Sequence, residues 1–195
     1  AVKLSGEKPV QSTCRRVRVN GNGTPSVILK SSIISSRLSG SESGSGFGSK
    51  PCETLYIEET VECMSLQDLV RGLDEPASKQ CTLLKAVVCV FFNLEAPFAS
   101  EESLVGTLDK YCKGDGLELV SKTDLPSGSG MGGSSILAAA ALSALQCCIY
   151  GKQDSGVESS LLLSSMVSKV EQLMTTGGGW QDQVLYWYCT WNFYF

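Results

Sequence analysis

Three features of this sequence combine residue types and spacing that chemistry can use. The first is DLPSGSGMGGSSILAAAALSAL, from Asp124 to Leu145, a glycine-serine run that ends in two hydroxyl residues. The second is Glu171, in the stretch VSKVEQLM. The third is TTGGGWQDQ (175–183), where three consecutive glycines lead to Trp180 and Asp182. A glycine loop opening a helix offers converging backbone N–H groups and the positive end of a helix dipole, which together suit an anion such as phosphate. Glycines also remove the Cβ atoms that would keep phosphate at a distance. Ser134 and Ser135 can donate hydroxyls or bind a cation. A carboxylate such as Asp182 can take a proton from a hydroxyl or orient it.

The sequence has no histidine. That removes Ser-His and Cys-His nucleophilic mechanisms and every histidine metal site from these residues. Acid-base work falls to a carboxylate, Lys, Tyr, Cys or a bound cofactor, and Asp182 is the best base candidate. As alternatives, Asp182 can be an ordinary turn aspartate, and Trp180 either a platform for an apolar sugar face or a core residue.

The elements that would position these groups follow from pattern. GLELVSKTD (116–124) reads as a strand that stops at Leu125-Pro126. Immediately after Gly133, SSILAAAALSALQCCIY reads as a strong helix, with Ile136, Leu137, Leu142 and Leu145 apolar and Gly151 as its stop. The glycine run is thus pinned between a strand and a helix N-terminus. A similar run, RLSGSESGSGFGSKP (37–51), opens no helix and reads as a solvated loop. The pinned loop is not a Walker A, because no Lys follows Gly132 or Gly133. It is not a Rossmann fingerprint, because residues 144–153 hold no acidic ribose ligand. From the residues alone, phosphate binding and an ordinary tight turn both remain open.

Ser155-Gly156-Val157-Glu158 has the form of a capping box for a helix running to about Met174. Val167, Val170, Leu173 and Met174 mark its apolar side. Glu171 lies on or beside that side, in a last turn where the dipole disfavours an anion. Either a cation such as Mg²⁺ compensates it, or it is a solvated glutamate at the edge of the stripe.

Elsewhere, AVKL, RRVRVN, SVILKSSII and ETLYIEETVE read as strands. Ser65 caps a short helix that stops near Gly72, and KQCTLLKAVVCVFFNL (79–94) reads as a buried helix. SEESLVGTLDKYCKGDG reads as a helix from Ser100 to Gly114. The order implies an α+β layer, helices packed on a mainly antiparallel sheet. At 195 residues and 43% hydrophobic, there is material for one domain core. A net charge of −4 with scattered basic residues argues against a nucleic-acid surface. No apolar run reaches about 18 residues, which argues against a membrane span. The nine cysteines are odd in number and irregular in spacing, and read as buried free thiols of a reducing cytoplasm.

Taken together, LPSGSGMGGSSILAAAALSALQ followed by VEQLMTTGGGWQDQ resembles the GHMP kinase superfamily, fucokinase type. The superfamily loop is Pro, three residues, Gly, Leu or Met, Gly or Ser, Ser, then Ser or Ala; here Gly133 stands where a hydroxyl residue is commoner. LLKAVVCVFFNLE and AVKLSGEKP also resemble segments of that kinase domain. The resemblance implies a ribosomal-S5-like N-terminal half over residues 1–184. It implies that Pro126, Gly128, Ser129, Gly130, Met131, Gly132, Gly133, Ser134 and Ser135 form the ATP site. It further implies that Ser134 and Glu171 hold Mg²⁺, and that Asp182 acts on the anomeric hydroxyl of L-fucose. The products would be ADP and L-fucose 1-phosphate; a heptose kinase, or a non-catalytic nucleotide-binding fragment, is the alternative. An R-x-D-F-S-G-G-W segment, a second kinase domain and a fused pyrophosphorylase domain are expected in the family but not found in the sequence. Seven of the eleven residues of LYWYCTWNFYF (185–195) are aromatic. This composition suggests a truncated chain with an aberrant tail, inactive alone.

Overall fold

A computed structural model describes residues 10–19, 23–36, 54–73, 80–94, 103–124, 133–151 and 157–174. Among them are four strands: β1 (Val10–Val17), β2 (Val27–Ser36), β3 (Thr54–Cys63) and β4 (Gly116–Thr123). The helices are α1 (Leu66–Val70), α2 (Gln80–Phe92), α3 (Leu104–Cys112), α4 (Gly133–Tyr150) and α5 (Val157–Leu173). The strands form one sheet in the order β1-β4-β2-β3. β1 pairs with β4 and β2 with β3 in antiparallel fashion, while β2 and β4 run parallel. The architecture is therefore α+β with a mainly antiparallel sheet, as the sequence implies.

One sheet face carries the core. Val27 and Leu29 of β2 and Leu117 and Leu119 of β4 alternate onto it and are fully buried. Against them pack α2, with Leu84, Val87 and Val88 buried, and α4, with Leu137, Leu142 and Leu145 buried. Each such side chain contributes about 1.5–3 kcal/mol when removed from water. α4 returns along β1, and its last turn meets Arg16, whose guanidinium donates to the Ile149 carbonyl. A helix of 18 residues spans ~27 Å. Its first turn therefore lies toward the opposite end of the sheet, where Val10 pairs with Thr123.

Three local expectations are corrected. β1 starts at Val10 rather than Arg15, because all eight of its residues pair with β4 from Thr123 back to Gly116. The helix expected from Ser100 starts after Ser103, whose hydroxyl accepts from the Gly106 N–H. Its stop begins one residue early, with Lys113 in the left-handed region at φ 60° and Gly114 following at 80°. Third, α4 is long and apolar enough to cross a membrane by length and composition alone. Here it spends its apolar residues on the core, packing against β1, β4, α2 and α5.

Other expectations hold in detail. Ser65 accepts from the Asp68 N–H while Asp68 accepts from the Ser65 N–H, a complete capping box for α1. Gly72 and Gly151 take φ of 82° and 90°, where glycine avoids Cβ strain. The described cysteines are all free. Cys63, Cys81, Cys89 and Cys112 are buried, but Cys147 is exposed, because α4 turns it away from the core. The expected strand AVKL, the loop 38–51 and the tail 185–195 lie outside the described residues.

Candidate functional site

The core face of the sheet changes character toward the end where β4 finishes. Leu117 and Leu119 give way to Ser121 and Thr123, both buried. Ser121 shares a 2.9 Å hydroxyl–hydroxyl bond with Ser12 of β1. On the other side of Ser121 stands Ser31 of β2, also buried, whose hydroxyl has no hydrogen-bond partner among the described residues. At this end α2 begins: the Cys81 N–H donates to the Glu59 carboxylate at 3.0 Å. A polar row under apolar packing costs stability unless it is satisfied. Its position beside the last residues of β4 marks this end of the molecule.

β4 delivers the chain to Asp124, and the next described residue is Gly133, the first of α4. Pro126, Gly128, Ser129, Gly130, Met131 and Gly132 lie outside the described residues, as does Asp182. Gly133, Ser134 and Ser135 form the opening of α4. Ser134 is exposed and Ser135 is 1% exposed. Successive helical residues point about 100° apart, so one serine faces out while the next faces in. A Cβ built on Gly133 meets nothing among the described residues within 4 Å. Packing among the described residues therefore gives no reason for glycine at this position.

The Ser135 hydroxyl donates to the Oε1 of Glu171, in the last turn of α5. Glu171 is 3% exposed. The solvated-edge alternative for this glutamate is thus overturned. The reason is helix packing: α5 lies against α4 and α2, and Val167, Val170 and Met174 of the same stripe are buried with it. The C-terminal turn of α5 disfavours an anion, but the carboxylate sits at the amino end of α4, where the dipole favours one. The two helix ends act on it in opposite senses. Of the two serines, the one hydrogen-bonded to Glu171 is Ser135, not the Ser134 that the resemblance pairs with it.

Two further groups escaped the reading of the sequence. Asp124 has one carboxylate oxygen, Oδ1, buried without a hydrogen-bond partner among the described residues. Its signal was positional: it ends the strand reading, three residues before the glycine-serine run begins at Ser127. Glu59 of β3, which accepts from the Cys81 N–H at the start of α2, was hidden inside an ordinary alternating strand. The buried thiols of Cys81 and Cys112 are poor candidates for chemistry. Burial pushes Cys81 up to about 12, with Glu59 adding to the effect. Burial likewise holds Cys112 at about 11. Both stay protonated at neutral pH and behave as packing groups.

Among the described residues the donors at the mouth of α4 are oxygens: the Glu171 carboxylate and the Ser134 and Ser135 hydroxyls. Hard oxygen donors suit Mg²⁺, which is commonly held by one or two carboxylates together with substrate phosphates. A helix N-terminus opening on a glycine whose Cβ position is clear suits the phosphates themselves. The residues present therefore fit a magnesium nucleotide.

Residues 102–189 match the GHMP kinases N terminal domain, a stretch that includes β4, α4 and α5. The L-fucokinase/L-fucose-1-P guanylyltransferase of Bacteroides fragilis is 32% identical over 145 residues. The chain belongs to the GHMP kinase superfamily. That relative aligns with 69% of this chain, and the match covers 14% of the relative's own length. The bifunctional fucokinase/GDP-fucose pyrophosphorylase of Arabidopsis thaliana is 41% identical over 76 residues, 39% of this chain and 7% of that protein. The chain thus spans a small part of these fucokinase relatives. As a GHMP kinase segment, its Gly133–Glu171 pairing of helices lies wholly inside the matched region.

Proposed function

We propose that this chain supplies the nucleotide-binding part of a sugar kinase that transfers the γ-phosphate of ATP to the anomeric hydroxyl of L-fucose, giving L-fucose 1-phosphate. The observation that carries the reading is the meeting of the first turn of α4 with Glu171 through Ser135, beside the chain's exit from β4. It joins a helix mouth suited to phosphate with a buried carboxylate suited to a cation. The two relatives whose names include fucokinase support L-fucose as the sugar.

In this reading the backbone N–H groups from Gly128 to Ser134, following Pro126, hold the ATP phosphates. The amino end of α4 offsets the charge that develops during transfer. Ser134 and Glu171 hold Mg²⁺, which, when bound, neutralises phosphate charge. Asp182 accepts or orients the proton of the anomeric hydroxyl, aligning that oxygen with the γ-phosphorus. Phosphoryl transfer asks little else of a protein, since its transition state is loose and governed by positioning and charge. A pyrophosphorylase or guanylyltransferase activity, as named in the relatives, would belong to sequence beyond this segment.

The test is nucleotide binding followed by turnover. The chain is titrated with Mg·ATP by calorimetry, then assayed for ADP release on adding L-fucose, D-galactose or a heptose. Saturable Mg·ATP binding is expected of this chain, and fucose-dependent ADP release of a chain completed with the second kinase domain. Binding with no release on any sugar would favour a non-catalytic nucleotide-binding segment. Release with a heptose but not with fucose would reassign the substrate. No binding at all would end the reading.

A further inference from the structure

We propose that Ser135 is a positioning residue for the cation site and not a phosphate ligand. Its hydroxyl fixes the Glu171 carboxylate beside the first turn of α4. This rests on the reading of Glu171 given above and specifies how the fold prepares that residue.

A serine hydroxyl has one proton to donate. In Ser135 that proton is committed to Glu171 Oε1, so what remains toward a phosphate is a lone pair, which repels it. Both partners are buried, at 1% and 3% exposure, and water does not compete for the bond. Glu171 has three side-chain torsions and sits one turn from the end of α5, where a carboxylate has several directions open to it. The hydroxyl donor from another helix selects one of them. Ser134, one position earlier and exposed, keeps its hydroxyl on the ligand side of the helix. Consecutive serines thus divide the work, one outward to ligand and one inward to hold Glu171. The bond joins positions 36 apart in sequence, so it also ties the start of α4 to the end of α5. Outer partners of metal ligands commonly change metal affinity by about 10- to 100-fold.

The experiment measures Mn²⁺ binding in the presence of ATP, by the electron paramagnetic resonance signal of free Mn²⁺, with the 195-residue chain. The proteins compared are wild type, Ser135→Ala, Glu171→Gln and the double variant. Ser135→Ala is expected to weaken Mn²⁺ binding by about 10-fold. In the Glu171→Gln background the same change is expected to add nothing, because its effect passes through that carboxylate. Wild-type affinity in Ser135→Ala would overturn the proposal. So would a full additional loss in the double variant, which would mean that Ser135 touches the ligand itself. If Ser135→Ala does not fold, Ser135→Cys keeps the volume with a weaker donor. A several-fold loss is then expected, and unchanged affinity would overturn the proposal. Wild type that binds no Mn²⁺ with ATP removes the cation reading of Glu171 and this inference together, and it does so before any substitution is made.

Discussion

Two buried glutamates in this molecule are held in different ways. Glu118 lies in the middle of β4, on the sheet face opposite the helices, and is 4% exposed. Arg15 of β1 and Lys30 of β2 reach it from the strands on either side, Lys30 at 2.6 Å. Glu171, 3% exposed, is met by a neutral hydroxyl at the mouth of a helix. Glu118 is charge-matched by its own sheet. A hollow of about 380 Å³ opens over it, but the two cations lining that hollow already bind the glutamate. Burial alone therefore does not mark a functional carboxylate. What distinguishes Glu171 is the Ser135 hydroxyl that reaches it and the helix end it faces.

The comparison can be broken at several points. The largest effect is expected outside the pair. In a completed chain, Asp182→Asn should lower kcat by about 10²- to 10⁴-fold, the usual worth of a general base, with ATP affinity little changed. Unaltered turnover by stopped-time ADP assay would take Asp182 out of the chemistry. Next comes Glu171→Gln, which keeps the shape and the bond from Ser135 but removes the charge. Mg·ATP affinity should fall by at least about 10-fold, with the melting temperature nearly held. Wild-type affinity would make Glu171 a structural tie between α4 and α5, no different in kind from Glu118.

A smaller effect tests the helix mouth. Gly133→Ala should change stability by no more than about 1 kcal/mol, because the added methyl has space and the helix gains rigidity. ATP binding should weaken on the order of tenfold if phosphate approaches that backbone, the equivalent of about 1.4 kcal/mol. Equal affinity in a calorimetric titration would place the phosphate elsewhere.

The smallest effect is at Glu118. The Arg15 hydrogen bond, then that from Lys30, lowers its carboxyl below the ordinary 4.5. A carboxyl lowered on folding adds stability that is fully present above the unfolded value and is lost as pH falls through the folded one. Glu118→Gln should therefore cost about 1 kcal/mol or less at pH 7, since Arg15 is exposed and Lys30 partly so. It should also flatten the stability profile below pH 4.5. Chemical denaturation at pH 7 and pH 3.5 would show this, and ATP binding should not change.

Much of the fold was legible because its signals are local. Ser65 and Asp68 sit three apart, and the capping box needs nothing beyond that spacing. The apolar run of α2, the long helix after Gly133 and the alternation of β3 are likewise periodicities of a single segment. Signals failed where a partner strand or a neighbouring serine decided the outcome. β1 reached back to Val10 because β4 was there to pair with it. Ser103 displaced Ser100 as the cap because either serine could fill that role in sequence.

The site divides along the same line. By itself the sequence determined that a glycine-serine run would connect a strand to a helix, that no histidine would take part, and that Glu171 would lie near an apolar stripe. Helical periodicity fixes direction around one axis, so it could assign Glu171 to a face but not to a neighbour. Only the packing of α5 on α4 buried that carboxylate and chose Ser135 over Ser134 as its partner. The choice depends on how two helices are rotated and shifted against each other, a quantity that no single segment carries.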